Sequence, residues 1–292
     1  MDWVRIAVNI SADDEDDVTL ALREAAPGGG AEILDRRAAL LVPEAGKLRP
    51  GRILVRYYVT PDECEAAWLV AQSLVGAVVS PPEPVSDEWK ENWKKFFKPS
   101  RVSARFVVRP PWEAHAEPAA TDIEVVIEPG MAFGTGTHET TRLCLAQVDA
   151  HVRAGHTVLD VGCGSGVLSV AAALLGAGPI MAVDVEEDSR VATVENAERN
   201  GVAHAITASL TLLEDIEGTF DVVLANILAT VLVELSAQVA TRVSPGGTLI
   251  LSGILESDAD TVVGAYEERG MQLLERTQER DWVALRFKAP SA

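Results

Sequence analysis

The sequence predicts an α/β protein in which a smaller α+β domain precedes a doubly wound, mostly parallel sheet. Two observations predict this fold class. From residue 121 onward, strand-like and helix-like segments alternate, as a parallel sheet with helices on both faces requires. The 292 residues also fit about two domains of roughly 100 to 200 residues each.

The segment 1–84 is typical of a split βαβ domain, in which helices cover an antiparallel sheet. Apolar and polar residues nearly alternate from Trp3 to Ile10, which predicts a strand. A helix follows, with Ser11 or one of the next aspartates as its cap and the glycines at 28–30 as its end. The other predicted elements are strands within 31–42 and 52–60, a helix between Pro61 and Gly76, and a short strand within 77–82.

Three prolines within residues 81–84 predict a domain boundary. We expect a linker helix over 85–100, with Trp89 and Trp93 on one face, and a second domain over 101–292. Residues 90–109 carry seven basic side chains and one acid. This basic strip is either a docking surface or a connecting segment whose cations form salt bridges to an acidic surface, and the second interpretation is favoured.

Charge and composition exclude several classes of protein. With 25 Lys and Arg against 44 Asp and Glu, the formal charge of −19 disfavours direct binding to nucleic acid. The three cysteines form no CxxC pair, so we expect neither a disulfide framework nor a metal site. The acidic N-terminal segment and the absence of a long apolar run predict neither a signal peptide nor a membrane span, which indicates a cytoplasmic protein.

The second domain alternates strands and helices, and the ligand of such a sheet is expected at the carboxyl ends of its strands. The predicted strands lie within 121–128, 157–162, 179–185, 220–227, 246–254 and 282–287. The predicted helices follow the segment 134–141, cover 167–175 and 188–201, and follow residue 227.

A glycine-rich turn, VLDVGCGSG, connects the second of these strands to its helix. Asp160 precedes Gly162, Gly164 and Gly166 in this turn. Glycines allow positive φ and let a ligand lie on the backbone, and the helix N-terminus offers unpaired N–H groups. The spacing differs from the dinucleotide pattern G-x-G-x-x-G/A, so a nucleoside cofactor is favoured over a dinucleotide. A purely structural turn is the alternative.

Asp184 ends the next apolar strand, 22 residues after Gly162. A carboxylate at this point can accept hydrogen bonds from both hydroxyls of a ribose. Its alternative role is to cap the following helix, but Asp188 or Ser189 is better placed for capping. The sequence therefore favours Asp184 as a ribose ligand.

Two further segments carry polar residues. Gly134 and Gly136 form a flexible turn that could close over a ligand, with Thr137 or Thr140 opening the next helix. We expect His138 to make local hydrogen bonds, and the sequence identifies no general base. Asn226 ends an apolar strand, and its side-chain carbonyl can accept a bond from an amine. Neither a proline nor an aromatic ring follows Asn226 in the next three positions.

Together these features resemble class I S-adenosylmethionine-dependent methyltransferases. EPGMAFGTGTHETT at 128–141 and FDVVLANILATVLVEL at 220–235 are similar to the PrmA family, which methylates large-subunit ribosomal protein eleven. The resemblance implies a Rossmann-like catalytic domain, a ferredoxin-like substrate-recognition domain and S-adenosylmethionine as cofactor. By motif position it implies cofactor contacts at Thr141, Gly162, Gly164, Asp184 and Asn226.

The resemblance implies a protein N-methyltransferase that modifies lysine side chains and the α-amine of a ribosomal protein. We also expect a monomer that makes no direct contact with nucleic acid. An RNA or small-molecule methyltransferase built on the same sheet is the alternative, and the basic strip is the one feature that favours RNA. A third possibility is a cofactor-binding assembly factor without enzymatic activity.

Overall fold

A computed structural model describes residues 3–34, 47–85, 97–129, 134, 136 and 138–291. The chain divides into two compact units, Met1–Phe96 and Phe97–Ala292. The predicted linker helix with Trp89 and Trp93 lies largely outside the described residues, as does the predicted strand beyond Leu34. The boundaries 1–84, 85–100 and 101–292 stay predictions.

The N-terminal unit contains an antiparallel sheet and two helices. Its elements are β1 (Trp3–Ser11), α1 (Glu15–Ala25), β2 (Gly30–Leu34), β3 (Arg52–Val59), α2 (Cys64–Ser73), β4 (Val78–Val79) and β5 (Glu83–Val85). The strand order is β2-β3-β1-β4, with β5 also paired to β1. The element order and pairing are those of a ferredoxin-like domain, as predicted.

Alternation along β1 builds the core of this unit. Ile6, Val8 and Ile10 are buried while the residues between them are half-buried, because successive side chains in a strand point to opposite faces. They belong to one apolar cluster with Leu22 of α1 and Ala71 of α2. Ser11 does not cap α1, because it is the last residue of β1 and a 3₁₀ turn, Ala12–Asp14, separates it from the helix.

The second unit begins with a small three-stranded sheet of β6 (Ser100–Arg101), β7 (Phe106–Arg109) and β8 (Ile123–Val126). The prediction that 121–128 opens the main sheet is therefore wrong. β8 pairs with β7 in parallel instead, through partners such as Phe106 and Ile123.

The main sheet has seven strands and is flanked by helices. The strands are β9 (Val158–Val161), β10 (Ile180–Val183), β11 (Ile206–Ser209), β12 (Phe220–Asn226), β13 (Val243–Leu255), β14 (Gln272–Glu279) and β15 (Trp282–Lys288). The helices are α3 (Glu139–His151), α4 (Val167–Leu174), α5 (Glu187–Arg199), α6 (Ala229–Glu234), α7 (Ser236–Thr241) and α8 (Ala259–Glu267). The order is β11-β10-β9-β12-β13-β15-β14, parallel except for β15, which runs antiparallel to both of its neighbours.

Both faces of this sheet are covered by apolar packing. Val158 belongs to one core cluster and its neighbour Leu159 to a second one, and Val222 and Val223 divide in the same way. Neighbouring strand residues point to opposite faces, so the two clusters lie on the two sides of the sheet. The predicted doubly wound, mostly parallel fold is confirmed.

The basic strip forms salt bridges wherever the structure describes it. Its four described cations each have an acidic partner: Lys98 pairs with Glu113 at 2.5 Å, Arg101 with Asp122 at 2.7 Å, Arg105 with Asp149 at 2.6 Å, and Arg109 with Glu124. Burial raises the pKa of the Asp149 carboxyl, but bonds from Ser103 and Arg105 outweigh burial and leave that pKa lowered. This part of the strip therefore connects elements rather than presenting unpaired cations.

Across the described part of the chain, every helix is too short or too polar to cross a membrane.

Candidate functional site

A cavity of about 940 Å³ lies at the carboxyl ends of the parallel strands. Gly162 follows β9, Asp184 follows β10 and Asn226 ends β12, and all three line this cavity. The chain leaves β9 toward β10 on one side, whereas β12 lies on the other side of β9. The cavity therefore occupies the point where the strand order reverses, which is where ligands bind in open α/β sheets.

The turn after β9 requires glycine for two reasons. Gly162 has a φ of +71°, which is costly for residues with a side chain. A Cβ at this position would also lie 2.3 Å from Cγ2 of Ile227. The absence of a side chain therefore lets the backbone of this turn form part of the cavity wall.

Helix α5 holds the glycine turn in place. The Thr193 hydroxyl donates to the carbonyl oxygen of Gly164 at 3.0 Å, and the Asn196 side-chain amide donates to that of Ser165 at 2.9 Å. The Ser165 hydroxyl in turn donates to the Gly134 carbonyl oxygen at 2.6 Å. These bonds fix the turn before any ligand binds, which lowers the entropic cost of binding.

The Asp184 carboxylate is oriented by two backbone donors. One oxygen accepts the Gly164 N–H at 2.9 Å and the other accepts the Glu186 N–H at 3.1 Å. A carboxylate offers about four acceptor positions, so each oxygen keeps capacity for a ligand hydroxyl. Asp188 and Ser189 do not cap the following helix, because α5 begins earlier, at Glu187, and has no side-chain cap bond.

Asp160 is buried beneath the turn and does not line the cavity. It is 1% exposed, and one carboxyl oxygen accepts the Ser169 hydroxyl at 2.7 Å while the other has no hydrogen-bond partner. Burial raises the pKa of Asp160 to about 6, although the Ser169 bond opposes that rise and the Asp184 charge adds to it. Asp160 therefore supports the turn from below.

Two other predicted residues carry buried oxygens without a partner. The Asn226 side-chain carbonyl oxygen lacks a hydrogen bond within the chain, although Asn226 lines the cavity. The Thr141 hydroxyl is also buried and unpartnered, in the first turn of α3. Such atoms are costly unless a ligand or water satisfies them.

His138 caps helix α3, so the expectation that Thr137 or Thr140 opens it is wrong. The His138 Nδ1 accepts the Thr140 N–H at 3.3 Å, and the helix begins at Glu139. The His138 ring also packs edge-on against Trp282, with ring centroids 5.0 Å apart and planes 69° apart. Both rings line the cavity.

The cavity wall is acidic. Among the described residues, its charged side chains are all carboxylates, with neither Lys nor Arg: Asp184, Glu186, Asp188 and Glu214. A pyrophosphate would be repelled by such a wall, whereas a ligand with positive charge would be attracted. The cavity therefore favours a cationic nucleoside over a dinucleotide.

The one thiol in the glycine turn is not a nucleophile. Burial raises the pKa of Cys163 to about 12, so the thiol stays protonated at neutral pH. Among the described residues, no group of three His, Cys, Asp or Glu side chains could hold a metal ion.

Four of the five predicted site residues, Gly162, Gly164, Asp184 and Asn226, meet in one cavity. Thr141 is not part of its lining, and the neighbouring Thr140 is. Trp282 was missed. It pairs across a hairpin with β14, a strand that the sequence pattern did not predict, so the pairing that places Trp282 at this edge could not be foreseen.

The sequence is similar to a defined family. A family model described as ribosomal protein L11 methyltransferase (PrmA) matches residues 2–290. A protein of that name from Pelotomaculum thermopropionicum is 39% identical over 312 aligned residues, covering 99% of this chain and 100% of the relative. Another, from Geobacter sp. strain M21, is 44% identical over 227 residues, covering 75% of this chain and 73% of the relative.

A solved structure supports the same assignment. The crystal structure of a ribosomal protein L11 methylase from Lactobacillus delbrueckii subsp. bulgaricus superimposes with a TM-score of 0.63 at 32% identity, covering 66% of this chain and 100% of that one. The chain therefore belongs to the ribosomal protein L11 methyltransferase (PrmA) family, and it is a methyltransferase whose methyl donor is S-adenosylmethionine.

Proposed function

We propose that this protein transfers methyl groups from S-adenosylmethionine to lysine and α-amino groups of ribosomal protein L11. The observation that carries the proposal is the cavity itself, which has a backbone cradle, an oriented carboxylate and a wall without Lys or Arg among its described residues. The names of the relatives from Pelotomaculum thermopropionicum and Geobacter support L11 as the substrate.

The residues of the cavity fit the cofactor. Gly162 has no side chain and lines the cavity, so the ligand can contact its backbone directly. Asp184 has free acceptor capacity for the two ribose hydroxyls, and the acidic wall suits a sulfonium. Gly162, Gly164, Asp184 and Asn226 would hold the cofactor, whereas the buried, unpartnered Thr141 hydroxyl lies in α3 outside the cavity lining.

When bound, the cofactor supplies a methyl carbon on a positively charged sulfur, which leaves as a neutral thioether when an amine nitrogen takes the methyl. The amine must first be neutral, because its lone pair forms the new bond. For a lysine with a pKa of about 10.4, removing the proton at pH 7 costs about 4.6 kcal/mol, against about 1.4 kcal/mol for an α-amine near pKa 8. Burial of the amine on entry lowers that cost, since desolvation disfavours the charged form.

Asn226 is placed to orient the incoming amine. Its side-chain carbonyl oxygen has no partner within the chain and can accept one amine N–H. Positioning of this kind is the main contribution that a protein makes to an in-line displacement. Ile227 and Leu228 follow Asn226 without a proline or a stacking ring, which suits a flexible aliphatic amine.

The substrate also bears on location and assembly. Because its proposed substrate is a ribosomal protein, we propose that this protein works in the cytoplasm. We further propose that it acts as a monomer and does not bind RNA directly, since the described part of the basic strip is already paired with acids.

Methyl-labelled S-adenosylmethionine tests the proposal. The purified protein is incubated separately with L11, with ribosomal proteins lacking L11 and with naked ribosomal RNA, and the Asp184→Asn variant serves as the matched inactive control. We expect label in L11 alone, on lysine and N-terminal residues in peptide mass spectra. Label in RNA, or in proteins other than L11, would contradict the proposed substrate.

A further inference from the structure

The cavity has two chemically different ends. Asp184 follows β10, whereas Trp282 begins β15, four strand positions away in the order β10-β9-β12-β13-β15. At about 4.8 Å per strand this separates the two ends by roughly 19 Å. Trp282 lies at the carboxyl edge because β15 is antiparallel and pairs it with Leu255, the last residue of β13.

Asn226 lies between these two ends, on β12. The carboxylates that line the cavity follow β10 and β11, at or before residue 214, so they belong to the cofactor end. The opposite end carries the aromatic pair of His138 and Trp282. An in-line displacement requires the acceptor amine to approach opposite the sulfur, so with the nucleoside at the Asp184 end the amine would enter from the aromatic end.

Ion pairs hold the aromatic pair in place. Arg280, in the hairpin before Trp282, binds the Glu139 carboxylate at 2.9 Å, and Arg142 of α3 binds Glu279 of β14 through two nitrogens. The Glu139 carboxylate lies 3.9 Å from His138 Nε2, but its charge is balanced by Arg280. The start of α3 and the start of β15 are thus tied to one another.

Aromatic rings suit an amine that must be neutral before reaction and cationic afterwards. A carboxylate beside the amine would favour the charged form and raise the amine pKa, which removes the nucleophile. The face of an indole such as that of Trp282 attracts positive charge as it develops, and an indole is not a base at neutral pH. In an edge-on pair at least one ring leaves both of its faces uncovered by the other ring.

We propose that the His138 and Trp282 rings form the binding wall for the acceptor nitrogen, with the Trp282 indole stabilising the methylated ammonium by a cation–π contact and His138 holding that indole in place. The inference rests on the proposed transfer of methyl groups to amines. The inference predicts that loss of the rings slows later methylation steps more than the first one. Each added methyl group removes one N–H that could donate to Asn226, whereas the positive charge that the rings attract still develops in every step.

Mass spectrometry of L11 at fixed times gives the rate of each successive methylation. We expect Trp282→Leu to slow the first methylation about two- to threefold and later ones about tenfold or more, with Trp282→Phe intermediate. Leu274→Ala, which truncates an exposed leucine of β14 that does not line the cavity, should change none of these rates. His138→Asn keeps a capping side chain while removing the ring, and should resemble Trp282→Phe.

Cofactor affinity separates this proposal from the alternative that Trp282→Leu slows methylation by weakening cofactor binding. We expect the dissociation constant for S-adenosylhomocysteine, measured by calorimetry, to be unchanged in Trp282→Leu. Equal slowing of every methylation step, or a cofactor affinity that falls as much as the rates, would overturn the proposal.

A binding measurement tests the rings without any turnover. The indole N–H resonance of Trp282, identified by its loss in Trp282→Phe, should shift on titration with tetramethylammonium chloride in the presence of S-adenosylhomocysteine, and should shift much less with neutral tert-butanol. No shift, or equal shifts, would refute cation recognition. If wild-type protein leaves L11 unlabelled but this resonance still responds, the proposed substrate fails while the ring site stands.

Discussion

Asp160 lies in β9 and Asp184 directly follows the neighbouring parallel strand β10, yet the environments of these two aspartates differ. Asp160 lies inside β9, where it pairs with Ala182 of β10, and its carboxyl is buried. Asp184 lies one residue beyond the end of β10 and lines the cavity. Whether an acid lies inside a strand or just past its end therefore decides whether it supports the site or faces the ligand.

The two carboxyls also differ in what satisfies them. Asp184 receives a backbone N–H on each oxygen, which orients the carboxylate. Asp160 receives one hydroxyl, and its other oxygen has no partner. The comparison predicts a binding role for Asp184 and a structural role for Asp160, and the following variants test that division in order of decreasing effect.

Asp184→Ala should weaken S-adenosylhomocysteine binding by about 100-fold or more, because two hydrogen bonds to a charged acceptor are lost. Calorimetric titration measures this change. The matched control is Asp188→Asn, which removes a negative charge from the same cavity and should weaken binding less than about threefold. Equal losses in both variants would mean that the wall acts through its charge alone.

Asp160 should make stability depend on pH. Its folded pKa of about 6 lies above its ordinary value of 3.8, so its stabilising contribution is complete below about pH 3.8 and is lost as the pH rises through 6. Asn at this position cannot ionise. The unfolding free energy of Asp160→Asn, minus that of the wild type, should therefore rise by on the order of 3 kcal/mol between pH 4 and pH 7.

Denaturant unfolding across this pH range gives that difference. If the asparagine amide fits poorly at this position, it lowers the unfolding free energy of the variant by the same amount at every pH. Such a constant offset does not change how the difference in unfolding free energy varies with pH. A difference that is flat with pH would show that the Asp160 carboxyl has an ordinary pKa.

Ser169→Ala should destabilise the protein by about 1 to 3 kcal/mol near pH 8, because the buried carboxylate loses its one side-chain donor. The pKa of Asp160 should rise further, since that bond now holds it down. Cofactor affinity should change little. A large loss of cofactor affinity at unchanged stability would place Asp160 and Ser169 in the binding site itself.

Thr141→Val should have the smallest effect. Valine has nearly the shape of threonine and removes a buried hydroxyl that has no partner, so the ligand-free protein should melt at an equal or higher temperature. Cofactor affinity should fall by about three- to tenfold if the hydroxyl contacts the cofactor. Unchanged affinity would remove Thr141 from the site.

The sequence predicted the parts of the fold that local patterns encode. The apolar strands β9, β10 and β12 and the turn with Gly162 were found, because continuous apolar runs and glycine spacing are local signals. β11, of sequence ITAS, was missed because it is short and largely polar, and β14 because it is an edge strand in which only Leu273 and Leu274 are apolar.

The sequence predicted the site residues that directly follow apolar strands. It did not predict the residues that reach the cavity through strand pairing or through an unusual helix cap. Asp184 and Asn226 follow apolar strands, so their common edge could be inferred. Trp282 reaches the cavity only through an antiparallel hairpin, and His138 caps its helix through Nδ1 rather than by a usual capping residue. Neither arrangement leaves a pattern in the neighbouring sequence.

The division between the two acids is tested most directly by a crystal structure of the protein with S-adenosylhomocysteine. We expect both ribose hydroxyls within about 3.2 Å of the Asp184 carboxylate, the nucleoside against the backbone of Gly162, and Asp160 still bonded to Ser169. A sugar bound away from Asp184, or an Asp160 side chain turned into the cavity to contact the ligand, would contradict the account.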